Sequence, residues 1–203
     1  SRELFGLGGR SIAVIPYPLG DTPVLERSPD VWARDTFCFA GRLELRKGVV
    51  EWVQAAVRVA ASHPSAVFVF IGSDTSFDGA GGSVREHLEG MIPGSVRRQF
   101  QFQGSMGHGE LLAKLSAVSV AVVPSRWENF PYTCIEAMAS GLPVLASPNG
   151  GMSELITDGQ NGWLAESTTA AGFQEALIRV IETPPARKSV MGKPISPCAK
   201  LAF

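Results

Sequence analysis

Residues 37–71 read FCFAGRLELRKGVVEWVQAAVRVAASHPSAVFVFI, and this stretch is the clearest indicator of the fold class. Two apolar runs, Phe37–Ala40 and Ala66–Ile71, flank the segment Val49–Ala61, in which apolar residues recur at three- and four-residue intervals. The runs predict strands, and the spaced segment predicts an amphipathic helix. A strand, a helix and another strand in this order predict parallel strands joined by a right-handed crossover.

The same alternation continues outward on both sides of this stretch. Further strands are predicted at Ile12–Ile15, Phe100–Phe102, Val118–Val123, Pro143–Ala146 and, finally, at Trp163. Further helices are predicted at Leu111–Leu115, Cys134–Met138 and Phe173–Ile181. Because Ala66–Ile71 is apolar throughout, helices should cover both faces of its sheet. We therefore predict an α/β fold with a single doubly wound, Rossmann-like parallel sheet, which binds ligands at the carboxyl ends of its strands.

The predicted domain covers residues 11–183. Residues 1–10 are interpreted as a linker or N-terminal extension. The segment Ser73–Ser83 is rich in Gly, Ser and Asp, and it predicts a mobile loop after a strand. Pro184 and Pro185 end the last predicted helix, because proline cannot continue a helix. Residues 184–203 are basic and without apolar periodicity, which is typical of an irregular or non-native tail.

The composition excludes several classes of protein. Hydrophobic residues make up 45% and charged residues 18% of the chain, values that exclude a disordered or fibrous protein. The formal net charge of -1 lacks the basic excess typical of proteins that bind nucleic acid or anionic lipid. No apolar run approaches the roughly 20 residues that a membrane span needs, and no signal-peptide pattern follows Arg2.

Cysteine usage favours a reducing compartment. Cys38, Cys134 and Cys198 are an odd number and are widely spaced, which argues against a disulfide framework and against a zinc site. Cys38 and Cys134 lie in apolar runs, where free thiols behave as small hydrophobic side chains. We expect a cytoplasmic protein.

The segment Gly41–Gly48 connects the predicted strand Phe37–Ala40 to the following helix. Its glycine lets the chain turn, and Arg42 and Lys47 offer a planar fork and a point charge, the two usual ways to hold phosphate oxygens. In a cleft they would lie close to the start of the helix, whose free amides favour anions. The segment predicts an anion site, although a solvated loop with ordinary surface charges fits its spacing equally well.

A second segment, Pro124–Ala139, leads from a predicted strand into a predicted helix. Pro131 suits a first helical turn and Asn129 could cap it. Free amides around Tyr132 and Thr133 would then face the cleft. The segment is therefore a second candidate for contact with an anionic ligand.

Two glutamates, Glu128 in the loop and Glu136 within the helix, flank this turn. A carboxylate beside a diphosphate is repelled, so ligand-binding glutamates here should accept hydrogen bonds from hydroxyls, which a sugar nucleotide supplies on its ribose and its sugar. The alternative is that Glu136 forms an ordinary ion pair on the helix and Glu128 is a surface charge.

A third segment, Pro148–Glu154, contains Gly150 and Gly151, which permit close backbone approach to a phosphate or a sugar. A tight turn without a ligand explains the same residues equally well. Other signatures are missing: no glycine pattern fits a nicotinamide cofactor or a triphosphatase phosphate loop. The three histidines show no metal-ligand spacing.

Several motifs occur together in one order over roughly residues 11–182. They are Val14-Ile15-Pro16, Gly41-Arg42-Leu43 with Lys47-Gly48, Glu128-x-Phe130, Glu136-Ala137-Met138-Ala139-x-Gly141-x-Pro143-Val144, Gly150-Gly151-x-x-Glu154 and Asp158-Gly159-x-Asn161-Gly162. Together they resemble the C-terminal, donor-binding domain of family 4 glycosyltransferases. The resemblance implies the C-terminal half of a fold with two Rossmann-like domains.

The resemblance also implies roles for individual residues. Arg42 and Lys47 would bind the diphosphate and neutralise the leaving group, and Glu128 would contact the donor sugar, so these three are the expected catalytic residues. Glu136 would bind the ribose, and Met106 would lie near the base. The expected donor-binding residues are Gly41, Met106, Glu128, Phe130, Pro131, Tyr132, Thr133 and Glu136.

The implied reaction is retaining transfer of a hexose-type sugar from a nucleoside diphosphate sugar, the co-substrate, without a metal or another cofactor. The acceptor would be a glycan or a lipid-linked molecule bound by an N-terminal domain outside this sequence, so the isolated domain should be inactive. Peripheral association of the parent protein with a membrane stays open. Nucleic acid is not an expected partner.

Two features depart from the family pattern. Pro131 stands where the family usually has glycine, which removes one backbone donor. The sequence also starts at what resembles the interdomain linker. A sugar-nucleotide epimerase or phosphorylase of the same fold and a non-catalytic binding domain are the alternatives.

Overall fold

The computed structural model describes residues 23–77 and 81–183. The predicted strand Ile12–Ile15, the proposed linker 1–10, the tail 184–203 and part of the loop Ser73–Ser83 therefore lie outside the described residues.

The described residues form one six-stranded parallel sheet with the order β3-β2-β1-β4-β5-β6. The strands are β1 Thr36–Ala40, β2 Val67–Ile71, β3 Phe100–Phe102, β4 Val120–Val123, β5 Val144–Ala146 and β6 Trp163–Leu164. The prediction of a single doubly wound sheet is confirmed, and each strand lies at its predicted place. Predicted and observed bounds differ by no more than two residues at the amino ends of the first five strands.

In the described part of the chain, seven α-helices connect and flank these strands. They are α1 Pro29–Ala33, α2 Val49–Ala60, α3 Val84–Gly90, α4 His108–Ser116, α5 Tyr132–Ala139, α6 Gly151–Leu155 and α7 Ala170–Glu182. Two short 3-10 turns cover Leu45–Lys47 and Arg97–Gln99. The predicted helices are confirmed, and within the described residues no helix is long and apolar enough to cross a membrane.

Helix α3 was not predicted, although its amino end carries a recognisable signal. The Ser83 hydroxyl accepts a hydrogen bond from the Glu86 amide at 3.1 Å, and the Glu86 carboxylate accepts one from the Ser83 amide at 2.9 Å. This reciprocal pair is a capping box, which the spacing S-x-x-E encodes. The segment is too short for apolar periodicity to reveal it.

Two apolar cores lie on the two faces of the sheet. In one, the fully buried Trp52 of α2 packs edge-on against Phe68 of β2 and Phe173 of α7, with ring centroids 5.9 and 6.3 Å apart. In the other, α5 and α6 pack over β4 and β5, and the buried Cys38 and Cys134 are among its side chains. Burial raises the pKa of each thiol to about 12, as expected for cysteines that serve as small apolar residues.

The strand order reverses between β1 and β4. After β1 the chain adds β2 and β3 on one side, and then returns to add β4, β5 and β6 on the other. Phe39 of β1 is paired with Val122 of β4, so the loops that follow these two strands start side by side. Ligands bind in sheets of this kind in the crevice at the carboxyl ends of the strands, at the point where the strand order reverses.

Candidate functional site

The loop after β1 contacts the loop after β4 at a glycine. Gly48 has a φ of 68°, and a Cβ atom at this position would lie 1.9 Å from the carbonyl oxygen of Pro124. Only glycine combines this left-handed conformation with so close an approach. The Arg126 amide also donates to the carbonyl oxygen of Arg46 at 2.9 Å. These two contacts join segments that lie about 80 positions apart in the sequence.

An ion pair crosses the crevice at this point. The Lys47 ammonium donates to Oε1 of Glu128. The same oxygen accepts a hydrogen bond from the Ser125 hydroxyl at 3.1 Å and lies 3.5 Å from the Arg46 guanidinium. Oε2 of Glu128 has no hydrogen-bond partner among the described residues. The carboxylate is thus held by one oxygen and can accept from a ligand with the other.

Further ion pairs extend this contact into a chain of charges. Arg42 lies 2.8 Å from Glu44, and Arg46 lies 2.9 Å from the other oxygen of Glu44. With Lys47 and Glu128, the cluster contains three cations and two carboxylates, and its formal charge is positive. The Lys47 side chain is 21% exposed, whereas that of Arg42 is 61% exposed. Lys47 is therefore the cation whose field water screens least.

A pocket of about 90 Å³ opens beside the Lys47–Glu128 pair. The ends of β1 and β4 form its floor, and the turn that precedes α5 forms one wall. The lining residues are Phe39, Ala40, Lys47, Val122, Val123, Ser125, Glu128, Phe130, Pro131, Tyr132 and Thr133. The pocket therefore has an apolar floor with one cation and one carboxylate at its side.

The amino end of α5 faces this pocket. Pro131 occupies the position before the first helical residue, and no side chain caps the helix. The amides of Thr133 and Cys134 make no hydrogen bond within residues 23–77 and 81–183. Free amides and the helix dipole give this end of α5 a partial positive charge that favours an anion.

The prediction that Asn129 caps this helix is wrong. Its side-chain oxygen instead accepts a hydrogen bond from the Trp127 indole at 2.8 Å. Because a side chain within the loop occupies this oxygen, the helix amides are left open toward the pocket.

Glu136 lies on α5, four residues after Tyr132 and three after Thr133, both of which line the pocket. Residues at these spacings share one face of a helix. Glu136 is exposed and lies one turn farther from the pocket. Its position is on the face expected for a second ligand-contacting carboxylate, but it is not part of the pocket wall.

The structure thus brings together only part of the predicted site. Lys47, Glu128 and the turn Phe130–Thr133 line one pocket. Four other predicted residues lie outside its lining: Gly41, Arg42, Met106 and Glu136. Met106 is partly buried against the core that contains α5.

Gly150 and Gly151 pack against the backbone of the loop that carries Glu128. Gly150 has a φ of 63°, and a Cβ atom there would lie 2.3 Å from the Glu128 carbonyl oxygen. The Gly151 amide donates to that same oxygen at 2.8 Å. The two glycines therefore make their close approach to the backbone of Glu128. This arrangement corresponds to the alternative given for the segment, a tight turn without a ligand.

Two residues that contact Glu128, Ser125 and Arg46, were not assigned a role from the sequence. Ser125 is 1% exposed and orients the Glu128 carboxylate, and Arg46 contacts Glu44 as well as Glu128. Ser125 comes two residues after β4, and this position was the available signal, because strand ends line the crevice. In the part of the chain that the structure describes, no group of three or more His, Cys, Asp or Glu residues could hold a metal ion.

Comparisons with known proteins show the family to which this chain is similar. The sequence model of the family described as "Glycosyl transferases group 1" matches residues 31–192. Glycogen synthase of Mycobacterium tuberculosis is 33% identical over 186 residues, which cover 91% of this chain and 43% of the relative. The chain thus spans less than half the length of this relative.

Solved structures show the same architecture. The C-terminal domain of a glycosyl transferase group 1 family protein, LpcC from Francisella tularensis, superposes with a TM-score of 0.73 at 25% identity, covering 85% of this chain and 93% of that one. Anabaena HepE in complex with UDP and glucose gives a TM-score of 0.74 at 20% identity, covering 93% of this chain and 52% of that one. The second likeness shows the fold alone.

Proposed function

This chain belongs to the glycosyl transferases group 1 family, and from this membership we propose that it binds the nucleoside diphosphate sugar of a retaining, metal-independent glycosyl transfer. Its fold is that of the C-terminal domain of a two-domain glycosyltransferase. One observation carries the proposal: Lys47 and Glu128 meet at the open amino end of α5, at the point where the strand order reverses.

The diphosphate is assigned to Lys47 and to the helix amides. An ammonium carries three donors, and one of them is directed to Glu128, which leaves donors for phosphate oxygens. The free amides of Thr133 and Cys134 add partial positive charge from the opposite wall. Arg42, at the exposed end of the ion-pair chain, is assigned to the outer part of the diphosphate.

The transferred sugar is assigned to the pocket beside Glu128. Its Oε2 is open to a ligand, and a carboxylate oxygen next to a diphosphate is best satisfied by a hydroxyl donor. The pocket measures about 90 Å³, whereas pockets that enclose a drug-sized ligand measure about 300–1,000 Å³. We therefore place the sugar and its phosphate junction there and the nucleoside along the open crevice, with Glu136 at the ribose and Met106 toward the base.

In the transfer step, the bond between the anomeric carbon and the diphosphate oxygen breaks, and the acceptor oxygen bonds to that carbon on the same face. The acceptor's proton leaves to a phosphate oxygen. Negative charge develops on the departing diphosphate, and a fixed cation such as Lys47 stabilises it without reorganising.

The class of sugar and acceptor is taken from the relative. The name glycogen synthase supports a hexose as the transferred sugar and a glycan as the acceptor. A lipid-linked acceptor is the alternative. Since the chain spans 43% of that relative, we propose that the acceptor is bound largely by another domain and that this chain alone binds the donor without transferring the sugar.

Calorimetry with uridine, guanosine and adenosine diphosphates tests the proposal. We expect saturable binding of at least one of them, and a concentration-dependent rise in melting temperature. If none binds, the donor site is disproved and a non-catalytic domain becomes the better interpretation. Incubation of the full-length protein with the sugar nucleotide separates transfer from isomerisation and from phosphate-dependent release.

A further inference from the structure

An exposed tryptophan belongs to the loop that carries Glu128, one of the residues that line the proposed donor pocket. The Trp127 side chain is 62% exposed, and it immediately precedes Glu128. Three large hydrophobic residues are exposed in the described part of the chain, namely Val24, Trp127 and Tyr132. Trp127 belongs to the connection between β4 and α5, and Tyr132, which lines the pocket, is the first residue of α5. Exposed apolar surface is therefore concentrated at the edge of the site.

One hydrogen bond restrains the indole, and several contacts hold the loop that carries it. Its N–H donates to Oδ1 of Asn129 at 2.8 Å. The preceding residue, Arg126, is fixed at three points: its amide donates to Arg46 at 2.9 Å, its carbonyl accepts from Asn149 at 3.0 Å, and its guanidinium lies 2.6 Å from Glu51. A ligand that packs on a preorganised ring does not incur the entropy cost of ordering it.

The chemistry of this pair suits a sugar ring. Because its N–H is already used, Trp127 offers only apolar aromatic faces. The Asn129 side-chain amide donates to no group among the described residues, and it is exposed. A hexopyranose has C–H bonds on one face and hydroxyls around its rim, so it can pack on the indole and accept a hydrogen bond from the amide.

A nucleobase also stacks on aromatic rings, but the location of Trp127 favours a sugar. The loop that bears Trp127 is anchored to α2 through Glu51 and to the segment after β5 through Asn149. The loop assigned to the base follows β3, an edge strand three positions from β4 in the sheet order. Trp127 is adjacent to Glu128 in the sequence, so both residues belong to the same short loop at the carboxyl end of β4.

We propose that Trp127 and Asn129 form a subsite for a hexopyranose ring of the acceptor glycan, contributed by this domain. This rests on the proposed function, because Glu128 marks the point of transfer. Trp127 provides the packing surface, and Asn129 holds the indole with its oxygen and the sugar hydroxyl with its nitrogen. The other domain would supply the remainder of the acceptor site.

The test uses the indole N–H resonances of the ¹⁵N-labelled chain. The sequence contains four tryptophans, and Trp127→Phe identifies the Trp127 signal by its loss. Nucleoside diphosphate is added to saturation, followed by maltoheptaose and, separately, cellohexaose. We expect one of the two oligosaccharides to shift the Trp127 signal saturably, while the signals of the buried Trp52 and Trp163 stay in place.

Trp127→Ala should weaken binding of that oligosaccharide about tenfold or more, and Asn129→Ala should weaken it less. Both variants should keep the nucleoside diphosphate affinity of the parent chain within about twofold, because neither side chain is assigned to the phosphates. Val24→Ala, which also removes exposed apolar surface, is the matched control and should change neither affinity.

Three outcomes overturn the inference. They are no Trp127 shift with either oligosaccharide, a shift of equal size with nucleoside diphosphate alone, and oligosaccharide binding that Trp127→Ala leaves intact. The second would assign the indole to the base. Failure of the proposed function is distinguishable, because the chain would then bind no nucleoside diphosphate in the first step.

Discussion

The Lys47 ammonium donates a hydrogen bond to the Glu128 carboxylate across the crevice between β1 and β4. The two residues are 81 positions apart in the sequence and meet because their strands are neighbours in the sheet. In the proposed donor complex, Lys47 contacts phosphate and Glu128 contacts the sugar, so this one ion pair joins the two subsites. Its members should therefore affect different parts of the donor when they are replaced.

Lys47→Met should weaken nucleoside diphosphate binding by about 1.5–3 kcal/mol, the usual contribution of a hydrogen bond to a charged group. Methionine keeps much of the length and apolar surface of the side chain and removes the charge. Calorimetry measures the change. Lys114→Met, at an exposed position of α4, is the control and should bind nucleoside diphosphate as the parent does. Equal affinity of the Lys47→Met variant and the parent chain would contradict the assignment of Lys47 to the phosphates.

Arg42→Ala should also weaken nucleoside diphosphate binding, but by less, about 1 kcal/mol. Its side chain is 61% exposed and lies outside the pocket, so water and salt screen its charge more strongly than that of Lys47. Titrations at low and high ionic strength should show a greater difference at low salt. Arg58→Ala, on the exposed face of α2, is the matched control. A larger loss of affinity for Arg42→Ala than for Lys47→Met would contradict the assignment of Lys47 as the main phosphate ligand.

Glu128→Gln should separate the sugar subsite from the phosphate subsite. The substitution removes one negative charge beside Lys47, so nucleoside diphosphate should bind at least as tightly as before. We expect the parent chain to bind the matching nucleoside diphosphate sugar more tightly than the nucleoside diphosphate, and we expect the variant to lose this difference. Competition titrations with both ligands measure this. The assignment fails if the variant keeps the preference for the sugar nucleotide, and Glu110→Gln on α4 controls for a general charge effect.

Gly48→Ala should destabilise the fold by at least about 2 kcal/mol. The left-handed conformation alone costs an alanine roughly 1–2 kcal/mol, and its Cβ would lie 1.9 Å from the Pro124 carbonyl oxygen. Urea unfolding gives the change in free energy. Gly109→Ala in α4 is the matched control, since a Cβ there meets nothing within 4 Å, and it should stabilise by about 0.5–1 kcal/mol. Equal stability of the two variants would refute the predicted contact.

Cys38 and Cys134 should resist alkylation at pH 8 in the folded protein and react in urea. Burial raises the pKa of both thiols from 9.0 to about 12, so almost no thiolate forms at pH 8. The unfolded chain ionises near pH 9 while the folded chain keeps these protons. Their contribution to stability is therefore present below pH 9 and lost as the pH rises from about 9 to 12. Labelling followed by peptide mass mapping reports each cysteine, and labelling of either residue without unfolding would contradict its burial.

The sequence predicted elements better than it predicted their ends and caps. The apolar run Ala66–Ile71 and the periodic segment Val49–Ala61 are long enough to show their type, and both are confirmed. Helix α3 is short, and its only clear signal was the capping box at Ser83. The cap assigned to Asn129 was wrong because the side chain of Trp127 competes for the same oxygen. Such competition depends on where a loop folds back, which a local pattern does not record.

From the sequence alone came the order of strands and helices, the parallel fold class, and the segments that follow strands β1 and β4, because periodicity and turn chemistry act over a few residues. Tertiary structure decided which of those segments share a pocket. It placed Lys47 on Glu128, left Arg42 outside and added Ser125. The physical reason is that the strand order and the twist of the sheet bring together side chains that no local pattern relates, and burial then determines which of their charges remain effective.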